Sequence, residues 1–94
     1  MSAQAAFELW GAAIEDKERL YQKTLGRDDT AANLTLWLEE LTDIRDRLAD
    51  SKSKVLATQL SSELRMNFVA IADQVLANVE KSLDAMRAQI SAMN

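Results

Sequence analysis

The chain has no cysteine, no histidine and no proline, and only two glycines among its 94 residues. Without cysteine there is no disulfide framework, no thiolate metal site and no thiol nucleophile. Without histidine the commonest general base and metal ligand are missing as well. The lack of proline and the scarcity of glycine leave the backbone with few enforced breaks. No uninterrupted apolar run approaches the ~20 residues of a membrane-spanning helix, and residues 1–8 lack the basic and apolar regions of a signal peptide. The expectation is a cytoplasmic protein without a membrane span.

What is present is helix-forming material. Hydrophobic residues make up 48% of the chain and charged ones 28%, a balance that supports a folded core and excludes disorder for the bulk of it. Ala, Leu, Glu, Gln, Arg and Lys lose little side-chain freedom in a helix, so the fold class is all-α. The length suits one domain spanning residues 1–94.

Apolar spacing divides that domain into three helices. Residues 3–25 carry Phe7, Trp10, Ile14, Tyr21 and Leu25 on one stripe, and Gly26 follows as a closing residue. Asp28, Asp29 and Thr30 then supply turn and N-cap chemistry for a second helix over residues 30–49. Its apolar residues Leu34, Trp37, Leu41, Ile44 and Leu48 recur at steps of three and four, a short heptad seam of coiled-coil type. The polar stretch 49–54 reads as a turn, with continuous helix as the alternative. A third helix over residues 53–92 then carries Leu56, Leu60, Leu64, Phe68, Ile71, Val75, Val79, Leu83, Met86, Ile90 and Met93 at an average spacing of about 3.7 residues. Val69, Ala72 and Leu76 widen that stripe, marking its middle as the best-buried turn. The expected architecture is a three-helix bundle or long helical hairpin with an extended C-terminal helix.

Those lengths do not match. At 1.5 Å per residue, helices of about 22 and 20 residues reach ~30 Å, whereas about 40 residues reach ~60 Å. The far stripe of Val79, Leu83, Met86, Ile90 and Met93 then lacks cover, and an uncovered stripe of that length marks a binding surface. Its occupant is either a second copy, making a homo-oligomer, or a helical partner protein.

Chemistry is sparse elsewhere. Glu39 and Asp43 project from one helical face, yet the Glu-x-x-His element of helical carboxylate metal sites is absent, so no metal or other cofactor is expected. The serines have no histidine base, and no glycine-rich phosphate loop occurs, so no catalytic residue is assigned. Trp10 and Trp37 sit on their helix stripes as core anchors expected to face each other. Gly11, followed by Ala12 and Ala13, makes a small patch where another helix can approach closely.

Charge is unevenly spread. Residues 1–50 hold 11 acidic and 6 basic side chains, against 4 and 5 in residues 51–94. With a sequence pI of about 4.7 the chain shows no nucleic-acid footprint. The leading expectation is a non-enzymatic protein-binding or self-assembling module. In size, acidity and lack of catalytic residues it resembles small bacterial secretion chaperones and helical adaptors as a type of protein. The alternative is an acidic inhibitor, immunity or antitoxin-like protein that meets a basic partner through Glu39, Glu40, Asp43 and Asp46.

Overall fold

Ser2 opens the first helix, its Oγ accepting a hydrogen bond from the Ala5 N–H at 3.1 Å, which satisfies one of the donors that a helix start leaves free. The computed structural model describes residues 1–24 and 31–93. Within them lie α1 (Ala3–Thr24), α2 (Ala31–Leu56) and α3 (Ser62–Met93), with no strand among the described residues. The protein is an all-α three-helix bundle measuring 48 × 19 × 18 Å. The expected closing residue Gly26 and the caps Asp28, Asp29 and Thr30 lie outside the described residues.

The turn between the second and third helices falls later than the polar stretch 49–54 suggests. That stretch is helical, because the seam of α2 does not end at Leu48 but continues through Ser51 to Val55. Ser51 is 2% exposed and donates back to the Leu48 carbonyl at 3.1 Å, so a buried hydroxyl is accommodated without breaking the helix. Around it, Lys52 reaches Asp73 on α3 at 2.7 Å and Lys54 reaches Asp50 at 2.9 Å.

The chain turns instead at residues 57–61, where three groups close the ends of α2 and α3. Thr58 Oγ1 donates to the Val55 carbonyl at 2.7 Å, and Ser61 Oγ accepts from the Leu64 N–H at 3.1 Å as the N-cap of α3. Arg65, one turn into α3, donates from Nη1 to the Leu56 carbonyl at 2.9 Å and from Nη2 to the Thr58 carbonyl at 3.3 Å. A cation thus satisfies carbonyls at the C-terminal end of α2, where the helix dipole favours it.

Ion pairs show how the helices align. Asp16–Arg47 at 2.7 Å and Lys23–Glu40 at 3.5 Å run α1 antiparallel to α2, and Arg45–Glu80 at 3.0 Å with Lys52–Asp73 run α2 antiparallel to α3. This register sets Trp10 level with Ser53, so the two tryptophans do not face each other: Trp37 stands about 16 residues away, ~24 Å along the axis. Trp10 packs on Phe68 instead.

The same register removes the length mismatch. With 26 residues in α2 and 32 in α3, the two helices reach ~39 and ~48 Å, and the start of α2 lies level with the end of α3. The core follows the α2 seam, with Leu41, Leu48, Val55, Val79 and Leu83 all 0% exposed. Full burial of such side chains contributes ~1.5–3 kcal/mol each. On α3 the core row is Phe68, Ala72, Val79 and Leu83, which runs through the widened middle of the stripe and two turns beyond Leu76, while Ile71 is 59% exposed.

Candidate functional site

The far stripe of α3 is covered by the chain itself. Val79 and Leu83 are fully buried beneath α2 and offer no surface to a partner. Met86 and Ile90 are half-buried and pack against the core, and only Met93, 47% exposed, faces out. A binding surface at residues 79–93 therefore lacks its first two members, because α2 runs two turns longer than the polar stretch 49–54 suggested.

The acidic face is partly neutralised from within. Glu40 is paired with Lys23 on α1 at 3.5 Å, and Asp46 with its neighbour Arg45 at 3.1 Å. Glu39 and Asp43 are exposed, and Asp43 lines a shallow α1–α2 cleft of about 330 Å³ beside Arg19, Lys23 and Arg47. Charges of both signs alternate along this cleft, so it presents no concentrated negative field. Arg45 is held above its ordinary value by hydrogen bonds first to Glu80 and then to Asp46. The guanidinium therefore stays charged through the neutral range, and what its raised value contributes to the fold is lost as alkali titrates it.

The open side of the bundle lies between α1 and α3. Both helices pack against α2, but among the described residues their Cα traces nowhere come within 8 Å of each other. Large side chains span the gap. The Phe7 and Trp10 rings each meet Phe68 edge-on, with centroids 5.2 Å apart, and Tyr21 Oη lies 3.1 Å from Ser82 Oγ. These side-chain contacts are what joins α1 to α3.

Two rows at heptad spacing flank these contacts. Phe7, Ile14 and Tyr21 line the α1 side, all half-buried and packed against the core. Leu64 and Ile71 share a face of α3 with Ser82, whose hydroxyl meets Tyr21, and they are 46% and 59% exposed. Sequence spacing assigns Leu64 and Ile71 to the core stripe. The signal that separates them is the polar continuation of their row into Asn78 and Ser82, while Ala72, Val79 and Leu83 carry the apolar series onward. Small Ala72, fully buried, lets α3 lie close on α2 and turns the neighbouring Ile71 outward.

Fold and site together define a three-helix bundle with one open, apolar-lined side. In comparison with known proteins, the chain matches no protein family, no curated protein and no solved structure.

Among the described residues, no cluster of three or more metal-ligating side chains occurs, and no helix is long and apolar enough to cross a membrane.

Proposed function

We propose that this protein is a non-catalytic helical module that binds another polypeptide through the open side between α1 and α3. One observation carries the reading: Ile71 and, two turns before it, Leu64 leave large apolar side chains exposed on α3, on the side where α1 presents the half-buried Phe7 and Ile14. Contiguous apolar surface of this kind marks interaction sites in small folded proteins, whereas singly scattered apolar residues carry no such meaning. The C-terminal helix thus keeps a binding role, moved from residues 79–93 to its N-terminal half. The acidic-inhibitor reading is weaker, since Glu40 and Asp46 already have cationic partners.

Site-specific photo-crosslinking in the cells that make the protein tests this. A photoreactive residue at Ile71 should give an adduct of one defined mass, lost with Leu64→Asp, while one at Ala49 on the outer face of α2 should give none. An absence of adduct at Ile71, or equal adducts at both positions, would overturn the reading.

A further inference from the structure

The seam of α2 and the core row of α3 keep one heptad register across the turn that separates them. Counting on from Leu34 in steps of three and four passes Leu48, Ser51 and Val55, crosses residues 57–61, and arrives at Ala72, Val79 and Leu83 without a change of phase. Those last three side chains are fully buried. A hairpin has no need of this match, because its turn can rotate the second helix to present any face to the first. One continuous helix does need it, because only then do both halves of the seam lie on one side.

The turn itself contains nothing that a helix refuses. Residues 57–61 are Ala, Thr, Gln, Leu and Ser, with neither glycine nor proline among them. What bends the chain is side-chain chemistry. The first three seam positions after Val55 hold Thr58, Ser62 and Arg65, which give a continued helix no apolar contact to make. Ser61 caps α3, and Arg65 holds the Leu56 and Thr58 carbonyls. In a straight helix those two carbonyls would instead accept from the N–H groups of Leu60 and Ser62, so ordinary helix bonds offset the loss of the turn's own.

We propose that residues 57–61 are a hinge, and that the chain has a second folded form in which α2 and α3 join as one helix and two copies exchange their third helices. The joined helix, from residue 31 to residue 93, is ~95 Å long. Each α3 then packs on α1 and α2 of the other copy, so that Arg45–Glu80, Lys52–Asp73 and the ring contacts of Phe68 are remade between two chains. Both ion pairs share one antiparallel register, so two straight helices side by side satisfy each pair twice. The exchange does not depend on what the open side between α1 and α3 binds.

Two variants push the hinge in opposite directions. Proline in Ser62→Pro suits the first position of α3, whereas in a straight helix it removes a hydrogen bond to the Thr58 carbonyl and collides with it. Ser61→Ala with Arg65→Ala strips the turn of its closing groups and leaves the straight helix its backbone bonds. Each protein is unfolded and refolded at ~10 μM and at ~1 mM, and its mass is read by size-exclusion chromatography with light scattering. Wild type should be monomeric at the low concentration and partly dimeric at the high one. The double variant should dimerise at a concentration at least ~100-fold lower, since both chains of the dimer gain from the loss. Ser62→Pro should stay monomeric throughout and melt within a few degrees of wild type. Spin labels on Glu39→Cys and Ala88→Cys, both exposed sites, then tell exchange from simple pairing. Labelled chains are refolded with an excess of unlabelled protein, so that only the distance within one chain is read. It should be under ~30 Å in the monomer, where the two sites stand nearly level across a bundle 19 Å wide, and ~74 Å in the dimer.

Wild type and double variant that both stay monomeric after refolding at the high concentration would overturn the hinge. So would a dimer whose distance within one chain remains short, since two closed bundles would then have met face to face. A Ser62→Pro protein that dimerises as readily as wild type would overturn it too. Wild type and Ser62→Pro decide the matter between them if the double variant does not refold.

Discussion

Replacing Phe68 by alanine tests the packing that spans the bundle's open side. Phe68 is 6% exposed and makes edge-on contacts with Phe7 and Trp10, both at 5.2 Å between centroids. Removing a buried phenylalanine costs ~3–5 kcal/mol, the amount depending on how far the surroundings collapse into the cavity. Collapse is restricted here, because α1 and α3 are each held against α2 and their backbones stay more than 8 Å apart. The expected loss is therefore in the upper half of that range, ~4 kcal/mol, equivalent to a fall in melting temperature of ~20 °C for a chain of this length. Urea unfolding followed by circular dichroism at helical wavelengths measures it, with an m-value equal to that of the wild-type protein. A loss under ~1.5 kcal/mol would refute the reasoning. A double-mutant cycle with Phe7→Leu and Phe68→Leu then isolates the ring pair, for which a coupling of ~0.5–1.5 kcal/mol is expected, and zero coupling would show that the edge-on geometry adds nothing beyond burial.

Two further expectations follow from the turn and from the far end of α3. Arg65→Ala removes two charge-assisted hydrogen bonds to the Leu56 and Thr58 carbonyls, and Ser61→Ala removes the α3 N-cap; each should lower stability by ~1–2 kcal/mol in chemical denaturation, and a change under ~0.3 kcal/mol in both would show that the 57–61 turn does not depend on them. Leu83→Asp should leave the chain unfolded by circular dichroism at 25 °C, whereas Met93→Asp should melt within a few degrees of wild type; a folded Leu83→Asp protein would contradict the burial of that side chain.

Much of this fold is legible in the residue order. Helix content follows from composition, and the α2 heptad steps at Leu34, Trp37, Leu41, Ile44 and Leu48 are the row that the core is built on. The end of α2 is harder to see, because Ser51 occupies a seam position. A serine in a polar run reads as a cap, and only its burial against Leu48 shows the helix continuing. That single residue shifts the start of α3 from Ser53 to Ser62 and turns an apparent overhang into core. The proposed binding surface moves with the same step. Leu64 and Ile71 are apolar at helical spacing, and what sets their row apart comes only further along the chain, at Asn78 and Ser82. The side that α2 covers is settled by pairs far apart in the chain, Arg45 with Glu80 and Lys52 with Asp73. Gly11, by contrast, is visible from the start as a helix residue without a helix reason.

The central position of α2 has a kinetic consequence. Each close backbone approach in the bundle joins helices that are neighbours in the chain, α1 with α2 and α2 with α3, while the first and last helices meet only through side chains. Little loop entropy must be lost before native contacts begin to form, since only six residues separate α1 from α2 and five separate α2 from α3. Proteins built from such local contacts fold in microseconds to milliseconds, and a proline-free chain has no prolyl isomerisation to slow it. Folding of this chain is therefore expected as a single fast relaxation, which temperature-jump kinetics would read as one exponential.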